Sequence, residues 1–285
     1  MDRFMHLIGL HGKSFLPFCL GFGCNVPAVM GARIVESGRT RLFTILLTPF
    51  VPCTAKLAVV TLVAAAIFGK KALVISWALV AGNILILGFS GAILSRLSRL
   101  ISKKQRMPFI MELPFYHKPN PRTIGIVTWK RLVAFLKKAG TIIIVFSVLL
   151  WLLSYLPGGD IESSFLGLIG RSIEPIGRPL GLDWKMIVAL LASVTAKENS
   201  IAALGVLYGV GEEGLREILP SVMSHASALS FLVVLMLFVP CAATLVVMRQ
   251  EMGSWRWFLS SFTFMLFISY LSGMAVYKFA LFVGI

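Results

Sequence analysis

The tetrapeptide Phe50-Val51-Pro52-Cys53 recurs as Phe238-Val239-Pro240-Cys241, each copy deep within a long apolar run. Proline has no amide hydrogen and pushes the residue before it into extended backbone, so both copies predict an interrupted helix. In hydrocarbon a bare carbonyl is expensive, and broken backbone survives only against other protein or a water-lined cavity. Two such interruptions therefore predict irregular segments buried inside one membrane protein.

The rest of the sequence supplies that membrane setting. Of 285 residues, 58% are hydrophobic and 14% charged, with a mean hydropathy of +0.89. A soluble domain carries roughly 25% charged residues. Runs reaching the ~20 apolar residues that cross a bilayer core predict spans over 42–68, 72–94, 139–156, 184–208, 225–248 and 257–283. An apolar piece over 15–30, broken by Gly21, Gly23 and Pro27, reads as re-entrant or half-spanning. The expected fold class is all-α, a polytopic helical membrane protein.

The formal net charge is +15, and eleven of the 27 Lys and Arg lie between Arg96 and Lys138, where Glu112 is the single carboxylate. Such a block marks a cytoplasmic loop, and no nucleic-acid-binding signature accompanies it. Alternation then predicts 32–41 and 209–224 inside, with Lys70-Lys71 and 157–183 outside. The net acidic composition of 209–224 runs against that placement. Within the basic block, Trp129–Lys138 (WKRLVAFLKK) predicts an interfacial helix on the inner leaflet.

Cys19, Cys24, Cys53 and Cys241 form no CxxC pair, which excludes a zinc knuckle or thioredoxin-like site. The GLHGKS stretch of Gly9–Ser14 lacks the first glycine of a phosphate-binding loop, so no nucleotide is expected on this chain.

Pro49 and Pro52 free the carbonyls of Ile45 and Thr48, and Pro240 frees that of Met236. Each FVPC also has a polar break upstream. One is Cys24-Asn25-Val26-Pro27; the other is Thr195-Ala196-Lys197-Glu198-Asn199. Discontinuous segments at corresponding places in two halves point to a transport site at the bilayer midplane. They predict two gate-type repeats, over 1–95 and 139–285, joined by a basic cytoplasmic loop and interfacial helix over 96–138.

Freed carbonyls beside a thiol would offer a stripped cation both oxygen and sulfur; a packed proline kink is the plainer alternative. Charges at mid-span face protein or water, which singles out Lys197 and Glu198. Lys56 follows Cys53 by one turn, where an ion pair with Glu198 or a gating role would suit it. Candidate metal contacts are Cys24, Cys53, Cys241 and Glu198. The candidate path adds Asn25, Pro27, Pro52, Lys56, Lys197, Asn199 and Pro240.

Four blocks, IGLHGKSFLPFCLGFGCNVPAVM, MELPFYHKP…TWKRLVAFLKKAGTI, TAKENSIAALGVLYG and FVPCAATLVVMRQEMGSWRW, resemble the membrane region of ferrous iron transport protein B. The resemblance implies a permease carrying Fe²⁺ as substrate across a bacterial inner membrane, with the three cysteines and Ala196–Glu198 lining the path. It implies coupling to GTP through a cytoplasmic GTPase domain or subunit, small cytoplasmic accessory proteins as further partners, and room for a homo-oligomer. That domain and two earlier spans precede the gate region in the family, whereas this sequence starts just before it. After Cys53 the family has Ala-Arg-Leu-Pro-Val-Tyr; here Ala58 and Val60 replace the proline and tyrosine. Two rivals remain at this point: a nucleoside or anion carrier sharing the gate architecture, and an intramembrane thiol enzyme. A mixed sulfur–oxygen set suits Fe²⁺, and equally Mn²⁺ or Zn²⁺.

Overall fold

The computed structural model describes residues 5, 10, 12–101, 120–156 and 164–283. The centre of the basic block, 102–119, and residues 157–163 of the following loop lie outside the described residues. Among those described, every regular element is a helix and no strand occurs.

Three helical stretches are long and apolar enough to cross a membrane: Gly38–Arg96, His225–Met252 and Trp255–Val283. The first is α3 (Gly38–Leu47), α4 (Thr54–Phe68) and α5 (Ala72–Ile101) in series. At about 1.5 Å per residue it is far longer than a bilayer is thick, so it folds back. The reversal falls at Gly69, whose φ of 50° is one that residues with a Cβ rarely adopt. Large apolar side chains such as Leu73, Trp77, Leu85 and Phe89 on α5 stand 68–73% exposed. That is untenable in water and ordinary against lipid.

The second stretch, α11 (His225–Leu237) and α12 (Ala242–Met252), is the central column, with Phe231, Leu232 and Leu235 fully enclosed. The third, α13 (Trp255–Val283), returns beside α11. Ser269 Oγ donates to Val234 O and Ser230 Oγ to Gly273 O, both at 3.2 Å. A methyl on Gly273 would lie 2.4 Å from Val234 Cγ2, so this close crossing requires a small residue.

Two contacts fix how the broken columns run. Arg33 and Arg41 both bind Glu251, at 2.5 and 2.9 Å, which puts the start of α3 with the end of α12. Phe68 packs edge-on against His225 at 5.3 Å, which puts the end of α4 with the start of α11. The columns α3–α4 and α11–α12 are therefore antiparallel. One end of the molecule, the arginine end, gathers Arg33, Arg41 and Arg249.

Three expectations are corrected here. Trp184–Tyr208 is not a span. It divides into α8 (Trp184–Ala192) and α9 (Asn199–Leu207), each nine residues and so about 14 Å long, joined by a turn. Lys185 Nζ donates to Leu207 O at 3.1 Å and Tyr208 Oη to Asp183 Oδ2 at 3.5 Å, so the pair is a re-entrant hairpin with both ends on one side. The polar residues 193–198 supply its tip.

Because that hairpin returns to its own side, the segment 209–224 falls at the end opposite the arginines, not with 32–41. Its helix α10 (Glu212–Val222) packs Leu215 and Leu219 against Val63, Ile67 and Met223. The acidic charge that contradicted the predicted placement is thereby explained. Third, Trp129–Lys138 is no separate interfacial helix. It continues through the apolar run that follows as one 35-residue helix, α6 (Pro121–Tyr155), started by an Asn120 cap that accepts from the Arg122 amide. Proline at the first helical position suits that start.

The 15–30 region is a second re-entrant hairpin, as the glycines and Pro27 implied. It comprises α1 (Phe15–Gly23) and α2 (Asn25–Gly31), and a methyl on Gly31 would meet Leu20 Cδ1 at 3.3 Å. It enters from the arginine end, whereas α8–α9 enters from the other. A further helix, α7 (Phe165–Gly177), packs Gly170 on Trp184 and Val188.

Candidate functional site

Each FVPC is a true interruption. In the first, a 3-10 turn over Thr48–Phe50 ends α3, Val51 (ψ 129°) and Cys53 (ψ 163°) are extended, and α4 starts at Thr54. In the second, Phe238 (ψ 160°) and Cys241 (ψ 153°) are extended between α11 and α12. Pro52 and Pro240 are buried, so the carbonyls they strand need partners inside the protein.

Two buried lysines supply donors at the breaks, one of them to a carbonyl that proline strands. Lys56, fully enclosed, donates from Nζ to Pro49 O at 2.7 Å and to Met236 O at 2.6 Å. The Met236 carbonyl is the one that Pro240 deprives of its helical donor. One ammonium thus ties the first break to the second, across 180 residues of sequence. Lys197, 3% exposed at the tip of the second hairpin, donates to Val239 O at 2.8 Å and to Ser193 Oγ at 3.4 Å. The Thr48 carbonyl instead accepts the Val51 amide at 3.0 Å within the turn.

Two sequence-level readings change. The freed Met236 carbonyl does not face an open path in this state; Lys56 covers it. Lys56 makes no ion pair with Glu198, nor does Lys197. Glu198 starts α9, is exposed, and has no hydrogen bond or ion pair to a described residue.

Each hairpin tip is pinned to the break of its own half. Thr54 Oγ1 donates to Gly23 O at 2.9 Å. On the other side the Ala242 amide donates to Val194 O at 2.6 Å. Asn199 Nδ2 braces the second tip through Thr195 Oγ1 at 2.7 Å. Cys24, extended between α1 and α2, is exposed, while Cys53 and Cys241 are half-buried. Cys53 adjoins the first break and Cys241 the second, the two that Lys56 ties together, and Cys241 Sγ also contacts Thr244 Oγ1 at 3.2 Å.

Among the described residues, no three His, Cys, Asp or Glu side chains converge closely enough to hold a metal. Pro27 lies on the exposed side of α2. Sequence reasoning missed Asn83, whose Nδ2 donates to Phe50 O at 2.8 Å from within α5. Its signal was available: it is the one amide side chain in the apolar run 72–94. The Glu251 pairing was missed as well, since nothing local links positions 218 residues apart.

Opposed re-entrant hairpins meeting two antiparallel broken columns define a membrane protein of the gate class. The chain belongs to the Gate family, described as nucleoside recognition, whose profile matches residues 1–68 and 136–255. Residues 76–131, between those parts, match the ferrous iron transport protein B C terminus. The sequence is 37% identical over 287 residues to the Fe(2+) transporter FeoB of Methanocaldococcus jannaschii, covering 96% of this chain and 42% of that protein. It is 37% identical over 264 residues to the Fe(2+) transporter FeoB of Staphylococcus aureus strain COL, covering 90% and 39%. It is 32% identical over 333 residues to a Porphyromonas gingivalis fusion of Fe(2+) transport protein A with Fe(2+) transporter FeoB, covering 98% and 39%. The chain thus spans about two-fifths of the length of these relatives. No solved structure matches.

Proposed function

We propose that this chain forms the membrane pathway of a ferrous iron uptake transporter, with Fe²⁺ as the transported substrate. The observation that carries the reading is the tie between the two cysteine-bearing helix breaks through Lys56, with the hairpin tip at Cys24 pinned to the first break. Thiolate with oxygen donors suits a borderline divalent ion. The names of the relatives supply the choice of Fe²⁺ over Mn²⁺ or Zn²⁺. GTP-dependent coupling, and any accessory cytoplasmic protein, would act through parts of the relatives beyond the matched region.

The arginine end faces the cytoplasm in this reading. Arg33, Arg39, Arg41, Arg249 and Arg256 lie there, and the basic block from Arg96 leaves from that end, whereas the far end mixes Asp183 and Glu217 with Lys70, Lys71, Lys185 and Arg216. A cytoplasmic arginine end would agree with the positive-inside bias and suits a protein of the inner, cytoplasmic membrane.

A carrier for anions finds less support, because the two buried lysines already spend hydrogen bonds on backbone carbonyls. A thiol enzyme finds less still. His225 packs edge-on against Phe68 at the far end, about 18 Å along α11 from the second break. The test is Fe²⁺ flux into proteoliposomes with Cys24, Cys53 and Cys241 replaced by serine, singly and together. The reading expects the triple variant to lose flux; wild-type flux in it would remove the sulfur site.

A further inference from the structure

Three short helices run from the breaks and the first hairpin tip to the arginine end: α2 (Asn25–Gly31), α3 (Gly38–Leu47) and α12 (Ala242–Met252). Each is bounded by non-helical backbone. Cys24 (ψ 133°) and Val35 (ψ 113°) are extended on either side of α2 and its 3-10 continuation. Ser37 (ψ 116°) precedes α3, and the first break follows it. The second break precedes α12, and Gly253, with a φ of 65°, follows it. A methyl on Gly253 would meet nothing within 4 Å, so this glycine answers to backbone conformation and not to packing. Joints at the ends of rigid elements are where φ/ψ changes are absorbed when those elements move.

Two seals hold the three rods against one another. The inner seal is apolar. Val26 and Val29 from α2, Ile45 from α3, and Val247 and Met248 from α12 are buried in one cluster. A cation leaving the breaks toward the arginine end meets closed apolar packing, the kind of constriction that gates by excluding water. The outer seal is ionic. Glu251, its side chain 5% exposed, accepts from Arg33 Nε on both carboxylate oxygens, at 2.9 and 3.0 Å. Arg41 Nη2 donates to the same carboxylate at 2.9 Å and to Glu251 O at 3.3 Å. Arg33 extends α2, Arg41 belongs to α3 and Glu251 to α12, so one carboxylate fastens all three rods. It does so about 15 Å along α12 from the second break. Charge-assisted guanidinium contacts of this kind are strong and directional. The far end has no counterpart: among the described residues, no ion pair there joins the two halves.

We infer that the Arg33–Glu251–Arg41 triad is the latch of an inner gate, closed in this state, that keeps α2, α3 and α12 shut over the apolar seal. This rests on the proposed cation pathway and adds the place where that pathway is blocked. Separating the triad frees the rods to turn about their joints and parts Val29 and Ile45 from Met248. Arg33 is 64% exposed along its side chain, so the latch is open to approach from the aqueous phase at that end.

The test uses the full chain in proteoliposomes, with Mn²⁺ as the probe and thermal melting as the check on folding. Glu251→Gln is expected to raise Mn²⁺ entry about fivefold or more, the lower end of an ordinary coupling between two states. Arg33→Gln alters a largely exposed side chain, which folding tolerates, and should raise entry in the same direction; Arg33→Lys, which keeps the charge, should stay closer to the parent. A second readout needs no transport. With the four native cysteines changed to serine, Val247→Cys should resist a membrane-impermeant thiol reagent and should react once Glu251→Gln is added. Parent rates of both Mn²⁺ entry and Val247→Cys labelling in Arg33→Gln, or in a folded Glu251→Gln, overturn the inference. If parent and latch variants all exclude Mn²⁺ while labelling still follows the latch, the gate stands and the pathway reading fails.

Discussion

Replacing Lys56 by methionine keeps the length of the side chain and removes its ammonium. Two charge-assisted hydrogen bonds go with it, those to Pro49 O and Met236 O. At about 1.5–3 kcal/mol each, their gross loss is roughly 3–6 kcal/mol. Against this, burying an ammonium costs several kcal/mol that the variant no longer bears. The net expectation is a destabilisation of about 1–3 kcal/mol, or roughly 2–5 °C in melting temperature for a chain of this size. A second effect is electrostatic. A unit charge about 8 Å from a divalent ion repels it by about 4 kcal/mol at an effective dielectric of 20. Lys56 sits between the two cysteine-bearing breaks, so its removal should raise background divalent flux at least tenfold. Lys56→Arg should keep that flux low. The assay pairs thermal melting in detergent with Mn²⁺ entry into proteoliposomes carrying a quenchable dye. A methionine variant that melts with the parent and leaks no more than it would refute the view that Lys56 clasps the two breaks.

Three other outcomes follow from the same structure. Gly273→Leu should cost about 2 kcal/mol or more by overpacking against Val234, read as a lower melting temperature, while Gly273→Ala should cost less. Glu251→Gln should weaken the bridge to Arg33 and Arg41, whose enclosed carboxylate makes it worth about 1–3 kcal/mol; increased reactivity of a cysteine placed at Ser37 would report the opening. Cysteines introduced at Ser37 and at Ser221 should label from opposite faces of sealed vesicles, since the two segments lie at opposite ends; labelling from one face would contradict the re-entrant path of α8–α9.

What the sequence disclosed and what it hid divide along a physical line. Apolar length and the paired FVPC breaks were visible because hydrocarbon imposes them on every local segment. The re-entrant nature of 15–30 was legible from Gly21, Gly23 and Pro27. That of 184–208 was not, because Thr195-Ala196-Lys197 contains no proline or glycine and its turn is held by Lys197 reaching Val239 O. The side assigned to 209–224 failed with it, though its acidic charge had already pointed the other way. Each of the three thiols was visible beside a break. Lys56 was noticed, but its partners were not. A hydrogen bond to Met236 O is a tertiary fact that no local pattern encodes. Glu198 attracted attention as a mid-span charge, yet a hairpin tip lets it turn outward while Lys197 turns in.

The account depends most on the two halves meeting at their interruptions. In a variant with Cys19 and Cys53 changed to serine, only Cys24 and Cys241 remain, one from each half. Treatment of native membranes with a short bifunctional thiol reagent, followed by cleavage between the halves, should leave the two fragments joined. Efficient labelling of both cysteines with no joined product would contradict it.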